Sequence, residues 1–356
     1  MKKLFISLLA VAALAACTKS EVAYEQTQDE IGFVAVANTI TKAPVSGTAY
    51  PTTLNMYVNA FVNATSINVT TPDYFANVLF RHKSDNKWGG VPAQYWPNET
   101  ALRFSGYSKS GNISDSKLGS YNPKTDELII TGYEPGTSTA AGANDLMWFP
   151  ATRSYTKSEG KSGVTAQMYH TCSWITFRVQ GDEITSDETR NYTIKTIKIN
   201  GIDLTADVKC TGNASLAQTT LSNYVKWTVD ETPTGTYDVP VVSGGVSLEG
   251  TYTAASGNTP ASYSPKNVEN VTNSNPGNVV VIPQTPRSVD ITWTYTSQAG
   301  AEISDKATNL PLTLGDGQNW EPGKHYVYTI TLKATEILIT PQVSGWESGS
   351  GSVTIQ

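Results

Sequence analysis

Hydrophobic and polar residues alternate with a period of two along most of this chain. The pattern is clear in residues 174–179, 289–296 and 326–333, where Ile175, Phe177 and their equivalents share one face. Successive side chains of a strand point to opposite faces, so each segment predicts a strand with one buried and one wet face. A continuous apolar run from Val279 to Ile282 instead predicts a strand covered on both faces.

Turn signals separate the strands at short intervals, as at Asn122-Pro123 and Glu321-Pro322-Gly323. No stretch after Cys17 keeps a helical period for three turns. Many short strands joined by glycine and proline turns favour β-sandwiches. The weakest seam is the polar, charged stretch 181–190. The sequence therefore predicts an all-β protein with two tandem antiparallel β-sandwich domains, at residues 30–181 and 182–356.

The N-terminus carries a lipoprotein signal. Lys2 and Lys3 precede an apolar run that ends in Leu14-Ala15-Ala16-Cys17, and this run is too short to cross a bilayer. We expect a signal peptide at 1–16, lipid on Cys17 and a flexible tether at 17–29. A thioether-linked lipid together with an N-acyl chain such as palmitate would hold the protein on a membrane, because one chain alone binds marginally. The alternative is an ordinary signal peptide that happens to precede a cysteine.

The composition indicates a folded, turn-rich protein and argues against a nucleic-acid-binding one. Only 16% of the 356 residues are charged, and 28 Gly and 18 Pro are present, which is typical of a folded, turn-rich chain long enough for two domains. A net charge of −6 with scattered lysines provides no basic stripe. Nucleic acid is therefore not an expected partner.

Enzymatic chemistry is not indicated. The three histidines, His82, His170 and His325, have no metal-ligand neighbour at close spacing, and no G-x-S-x-G, P-loop or H-E-x-x-H pattern occurs. Asp182 and Glu183 are adjacent, and adjacent strand residues point to opposite faces, so they do not converge. We expect no catalytic site, no cofactor and no metal, and structural roles for His170 and His325 at the beginnings of strands.

Two cysteines, Cys172 and Cys210, remain once Cys17 is assigned to lipid. An exported protein can join such a pair in a disulfide. Their spacing does not bring them together, so the sequence favours two buried free thiols and leaves the disulfide as the alternative.

The aromatic residues, 8 Trp and 18 Tyr, admit two interpretations. Most lie in phase with aliphatic neighbours, which indicates core packing. Four tryptophans stand in loop-like context and are the candidates for exposure: Trp88, Trp96, Trp148 and Trp320. Exposed rings could stack on sugars, so a monomeric surface lipoprotein that binds glycans is the second functional hypothesis.

From residue 30 to 356 the chain resembles the fimbrillin family of Bacteroidetes. Several segments carry the resemblance in order, and none suffices alone. They are the lipobox at Cys17, the early strand Ile31–Ala37 running into Thr41-Lys42-Ala43, and the segments Leu102–Tyr107, Asp145–Trp148, His170–Val179, Val281–Gln284, Trp320–Tyr328 and Gly345-Trp346.

The resemblance implies a structural subunit of an adhesive fimbria, or pilus, built from two transthyretin-like domains. It implies a lipoprotein of the cell outer membrane exposed at the cell surface. Its partners would be other fimbrial subunits, identical or related, together with a host or bacterial surface ligand. It also implies that proteolysis removes an N-terminal strand and that a strand from a neighbouring subunit fills the vacated groove.

Particular residues can be assigned to this exchange. Ile31 and Phe33 lie in the strand that would leave, and the cut is expected between Lys42 and Ala43. The family's best-known processing follows arginine, so a lysine here is a departure. Val353 and Ile355 are candidates for the donor strand, or belong to the last strand of the second sandwich. The simpler alternative is an ordinary first strand that is never cut.

Overall fold

A computed structural model of the chain describes residues 29–37, 50–62, 70–84, 87–109, 117–135, 145–182, 190–213, 218–260, 262–264, 269–270, 279–314, 318–333, 336–345 and 353–354. These residues are predominantly in strands, which confirms the all-β class. The first nine strands are β1 (Gly32–Ala37), β2 (Asn55–Val62), β3 (Phe75–Ser84), β4 (Lys87–Val91), β5 (Leu102–Lys109), β6 (Ser120–Asn122), β7 (Glu127–Tyr133), β8 (Met147–Phe149) and β9 (Val164–His170).

The remaining strands are shorter on average. They are β10 (Ser173–Gly181), β11 (Thr193–Ile202), β12 (Ala206–Thr211), β13 (Val225–Thr228), β14 (Gly235–Val239), β15 (Val246–Ser247), β16 (Thr251–Thr253), β17 (Ser262–Ser264), β18 (Glu269–Asn270), β19 (Val279–Val281), β20 (Ser288–Thr296), β21 (Glu302–Pro311), β22 (Lys324–Leu332), β23 (Ile337–Gly345) and β24 (Val353–Thr354).

Helical structure in the described residues is limited to a short α-helix, α1 (Lys157–Gly160), and a 3₁₀-helix (Gln218–Asn223). The α1 helix begins after Thr156, whose backbone N–H donates to the Glu159 carboxylate at 2.8 Å. Neither helix is long and apolar enough to span a membrane.

The N-terminal strands close on themselves into a barrel in the order β1-β4-β3-β2-β5-β8-β9. Closure depends on β1, which pairs with β4 on one side and β9 on the other. The barrel interior is filled by apolar side chains, among them Met56, Val58 and Ala60 from alternate positions of β2. Period-two alternation therefore predicts the strands correctly, while barrel closure depends on pairings that the pattern does not specify.

A second core lies outside the barrel. The sheet β13-β12-β7-β6 packs with Tyr57 and Phe61, on the other face of β2, and with Trp148. Strand β2 is consequently buried on both faces. This sheet joins strands from both halves of the sequence, because β12 pairs with β7.

The C-terminal half packs two sheets around a third core. One has the order β18-β10-β22-β23-β24, with β19 also on β10, and the other has the order β14-β11-β20-β21, with β15 on β11. Ile175, Phe177 and Tyr328 face this core, as the alternation in β10 and β22 predicted. The other face of β10 was expected to be wet, and this is wrong for Trp174 and Thr176, which are both buried, Trp174 in the second core. Val279 and Val281 face the same core while Val280 faces the second one, so the continuous apolar run is covered on both faces as expected.

Sheet pairing divides the chain differently from the expected boundary between residues 181 and 182. Strand β10, which that boundary gives to the N-terminal domain, pairs with β22 and β19 of the C-terminal sheet. The sheets are also not wholly antiparallel, since β1 with β9 and β10 with β22 run parallel. Side-chain alternation reports which face is buried but not the direction of a strand's neighbour.

The two cysteines outside the N-terminal segment are both free and buried, so Cys172 and Cys210 are not joined in a disulfide. Burial raises the pKa of both thiols, and at Cys172 the nearby Asp145 carboxylate raises it further. Both thiols pack as small apolar side chains of the second core.

Candidate strand-exchange site

Strand β1 turns one face fully into the barrel. Ile31 and Phe33 are 0% exposed and Ala35 is 5% exposed. Val34 and Val36, on the other face, are half-buried. The alternation expected of Ile31, Phe33 and Ala35 is thus confirmed, and the outer face is partly covered as well. Burying a side chain such as Ile or Phe contributes roughly 1.5–3 kcal/mol, so the burial of Ile31 and Phe33 stabilises the folded barrel substantially.

Phe33 lies at the centre of an aromatic cluster inside the barrel. Its ring meets Phe80 and Phe104 edge to face, at centroid distances of 5.0 and 5.2 Å, and meets Phe149 at 5.9 Å. Edge-to-face contacts at these distances add to the free energy of burial. Loss of Phe33 would uncover apolar rings that belong to three other strands, β3, β5 and β8.

The backbone of β1 is paired along both edges. Phe33 to Ala37 pair in parallel with Val164 to Met168 of β9, and Gly32 to Val34 pair antiparallel with β4. Withdrawing β1 would therefore leave the facing N–H and C=O groups of β4 and β9 without partners on either side of a slot. Such edges are templates for adding a strand.

The chain leading into β1 is anchored by further contacts. The Ile31 N–H donates to the Gln94 carbonyl at 2.7 Å, and the Trp96 N–H donates to the Asp29 carbonyl at 3.0 Å. Two ion pairs, Lys83 with Glu30 and Lys157 with Asp29, also hold these residues. All four charged groups are partly exposed, so the ion pairs contribute little to stability, and the main-chain bonds matter more.

A buried contact between a histidine and a carboxyl group braces one wall of the slot. His170, the last residue of β9, contacts the Asp145 carboxylate just before β8 through its Nδ1, and both side chains are 1% exposed. Near this pair, the pKa of Tyr50 is raised by burial first and by the Asp145 charge second. The expectation that His170 begins a strand is wrong, because it ends one. No spacing in the sequence links it to Asp145, 25 residues away.

The other two histidines also have packing partners. His325, in β22, stacks on Trp174 with ring centroids 3.5 Å apart, and its Nε2 lies 2.9 Å from the Thr176 hydroxyl. Burial, with a smaller contribution from the charge of Arg178, lowers the pKa of His325 to about 3. His82 meets Trp88 edge to face at 5.2 Å.

Of the two candidate donor residues, the structure describes Val353, which lies away from the barrel. Val353 belongs to β24, which pairs with Gln342 and Val343 of β23 in the C-terminal sheet. The structure thus gathers Ile31 and Phe33 in the barrel and does not bring Val353 to them. Cys17, Lys42, Ala43 and Ile355 lie outside the described residues.

The tryptophans expected to be exposed are buried. Trp88, Trp148 and Trp320 are each at most 1% exposed, and Trp96 is 4% exposed. That expectation is wrong because Trp88 and Trp148 lie in strands β4 and β8, while Trp96 packs on Phe104 and Trp320 donates to the Tyr328 hydroxyl. The exposed aromatic side chains include Tyr74 and Tyr95, at 39% and 41%. Nothing in the local pattern distinguishes these two tyrosines, since their exposure depends on which strands lie beside them.

Comparison with known proteins agrees with this architecture. A fimbrial protein from Bacteroides vulgatus has a TM-score of 0.54 at 14% identity, covering 89% of this chain and 99% of its own. A candidate cell adhesion protein from Bacteroides ovatus has a TM-score of 0.50 at 14% identity, covering 91% and 99%. At these identities the likeness concerns the fold.

Sequence comparison gives the family. None of the curated proteins compared with this chain matches it. Residues 41–346 do match the family described as fimbrillin-like, which is most of the 356 residues. The expected resemblance is thereby confirmed, and the chain belongs to the fimbrillin-like family.

Proposed function

We propose that this protein is a structural subunit of an adhesive cell-surface fimbria that assembles by exchanging strand β1 for a strand of a neighbouring subunit. The observation that carries the proposal is that β1 alone joins β4 to β9 and closes the barrel. It is also the first described strand, so one cut after it separates it covalently from the rest of the fold.

The free energy of burying β1 favours replacing this strand with another one over leaving its slot empty. The buried face of β1 carries two large apolar side chains, Ile31 and Phe33. Their burial, at roughly 1.5–3 kcal/mol each, is substantial against a typical domain stability of about 5–15 kcal/mol. An incoming strand with matching alternation would restore the burial and the hydrogen bonds to β4 and β9. Its register would be strict, because a slip of one residue exposes the apolar face.

The processing site is proposed at Lys42–Ala43. This peptide bond lies in the connection between β1, which ends at Ala37, and β2, which begins at Asn55. Cleavage there would leave β1 held only by noncovalent contacts. The donor strand is proposed to carry Val353 and Ile355, because the described pairing of β24 with β23 covers only Gln342 and Val343, an attachment that can be released at small cost.

The cellular setting completes the proposal. Lipid on Cys17 would tether the precursor to the outer membrane at the cell surface until processing releases the subunit for assembly. The role is structural rather than catalytic, as the family of fimbrillin-like proteins suggests. Replacing Cys17 with Ser is expected to leave unprocessed precursor that is lost from the outer membrane. A Ser variant that matures normally and stays on the membrane would contradict the lipid anchor.

Assembly can be tested with the chain from residue 18 and a trypsin-like protease. We expect cut wild type to begin at Ala43 by N-terminal sequencing and to form fibres in electron micrographs, while uncut protein stays monomeric by light scattering. Lys42→Gln is the matched control that cannot be cut at this position. A cleanly cut wild type that remains monomeric would overturn the exchange.

The donor strand needs its own variant. Val353→Asp combined with Ile355→Asp places charges where an apolar face must enter the slot. We expect a folded monomer by circular dichroism and no fibres after cleavage. Normal fibres from this variant would remove the C-terminal strand as donor, while leaving the exchange of β1 intact.

A further inference from the structure

A depression of about 510 Å³ opens on the surface beside the N-terminal end of β1. The residues that line it include Tyr74, Gln94, Tyr95 and Asn98, with Trp96 in its wall. The volume is within the range of small-molecule sites, about 300–1,000 Å³. Strand exchange makes no use of this surface.

Both tyrosine rings are exposed, and the Tyr74 ring is held in place by its hydroxyl group and by Phe75. Tyr74 and Tyr95 keep 39% and 41% of their surface accessible. The Tyr74 hydroxyl donates to the Tyr95 carbonyl at 2.6 Å, which links the two segments across the depression. The Tyr74 N–H also donates to the Ala60 carbonyl at 3.2 Å. Rings fixed in advance lose little conformational entropy when they bind a ligand.

The segment that carries Tyr95 is held by main-chain hydrogen bonds of the residues before and after it. The flanking residues Gln94 and Trp96 make main-chain hydrogen bonds with Ile31 and Asp29. The Gln94 amide donates to the Pro92 carbonyl at 3.0 Å, and its Cγ packs against Gly90 so closely that a Cβ there would lie 3.1 Å away. The walls of the depression are therefore built by tertiary contacts.

The chemistry of the lining selects a class of ligand. The lining residues comprise two exposed tyrosines and two residues with side-chain amides, which both donate and accept hydrogen bonds. No lysine, arginine, aspartate or glutamate is among the residues that line the depression. An aromatic face takes up the C–H surface of a sugar ring, and amides bond its hydroxyl groups. A charged ligand would find no counter-ion there.

We propose that this depression binds a neutral saccharide, with Tyr74 and Tyr95 as stacking faces and Gln94 and Asn98 as hydrogen-bonding groups. The site goes beyond the proposed assembly, since it is complete in the uncut single chain. It would give the uncut chain an adhesive contact of its own, in which Ile31 and Asp29 still hold Gln94 and Trp96. Of the four tryptophans that the sequence predicted to be exposed, Trp96 lies in the wall of this depression, where it is 4% exposed.

The test is titration calorimetry on the uncut chain from residue 18. The probes are neutral hexasaccharides of glucose, mannose, galactose and xylose, with lactose and sialyllactose as a matched neutral and charged pair. We expect at least one neutral hexasaccharide to bind. Tyr95→Ala should weaken that binding roughly tenfold, a loss of about 1.4 kcal/mol. Tyr95→Phe, which keeps the ring, should restore it.

Leu338→Ala is the control variant, because this side chain is 48% exposed in the C-terminal sheet and should not affect binding. Asn98→Ala gives a second reading should Tyr95→Ala not fold, and it too should weaken binding. Failure of every neutral hexasaccharide to bind at millimolar concentration would overturn the proposal. So would binding that survives both substitutions, or sialyllactose binding more tightly than lactose. Polymerisation after cleavage enters none of these measurements, so the site and the assembly stand or fall separately.

Discussion

The first and last described strands of this protein differ in how far the fold depends on them. Strand β1 is paired on both sides and buries Ile31 and Phe33 completely. Among the described residues, strand β24 pairs on one side, with Gln342 and Val343 at the edge of a sheet. The contrast shows that a strand near the N-terminus can close a core, while one at the opposite end merely extends an edge.

The same contrast extends to the sheets that contain these strands. With β1 in place the barrel has no free edge. One C-terminal sheet ends instead on β21, which is exposed over most of its length and carries Glu302, Asp305 and Lys306. Charged side chains on an edge discourage pairing with other chains. The barrel has no such protection once β1 leaves, because its new edges flank an apolar slot.

The largest effect is expected at the centre of that slot. Phe33→Ala should lower the free energy of unfolding by about 3–5 kcal/mol, because it opens a cavity among Phe80, Phe104 and Phe149. Urea unfolding followed by circular dichroism measures the change. Val34→Ala, on the half-buried outer face of the same strand, is the matched control and should cost much less. Equal losses of unfolding free energy from the two substitutions would show that the inner face of β1 does not stabilise the barrel more than the outer face does.

The buried contact between Asp145 and His170 on the slot wall should come next. Asp145→Asn should destabilise the protein by up to about 3 kcal/mol, because it removes a carboxylate oxygen that contacts His170 where both side chains are 1% exposed. The control is Glu336→Gln, which breaks the exposed pair with Lys333 and should change stability by less than about 0.5 kcal/mol. Similar effects from the two substitutions would mean that Asp145 and His170 do not act as a buried pair.

Features of the fold could be predicted from the sequence where they depend on residues close together in the chain. Features that depend on pairing between distant strands could not. Alternation identified the inner face of β1 and the core faces of β10, β20 and β22 correctly, because a strand's own sequence records which face is buried. The pairing of β1 with β9 joins residues that are more than 100 positions apart in the chain. A one-dimensional pattern contains no information on that pairing, so barrel closure was not predicted.

The candidate sites follow the same rule. The burial of Ile31 and Phe33 could be predicted because their apolar period is local. The contact of Asp145 with His170 arises instead from the pairing of β8 with β9. Trp96 looked exposed from its neighbours in sequence, yet it packs on Phe104 and against Gly160. The exposure of Tyr74 and Tyr95 likewise depends on tertiary neighbours.

In the C-terminal half, the stability of the fold is expected to depend on pH through His325 of β22. The pKa of His325 is lowered from 6.5 to about 3 when the chain folds, chiefly by burial. Its contribution to stability is therefore complete above pH 6.5 and is lost as the pH falls towards 3. At pH 5 the loss should be about 2 kcal/mol relative to neutral pH, at about 1.4 kcal/mol per unit.

His325→Gln should flatten this dependence, because glutamine can bond the Thr176 hydroxyl but does not take up a proton. Melting temperatures of both proteins between pH 7 and pH 5 give the comparison, and His82 and His170 cancel because both proteins retain them. Parallel curves for the two proteins would show that His325 is not the titrating group.

The smallest effect is expected from the last strand, and it completes the comparison with β1. Deleting residues 351–356 removes β24, whose described pairing involves only Val343 and Gln342. An edge attachment of this size should contribute less than about 1 kcal/mol, since a typical hydrogen bond contributes only about 0.5–1.5 kcal/mol net. Urea unfolding of the truncated chain, beside Phe33→Ala, measures the difference directly. Under the proposed exchange, the truncated chain should also stay monomeric after cleavage at Lys42. A truncation as costly as Phe33→Ala would break the comparison, because β24 would then be as much a part of its core as β1 is of the barrel.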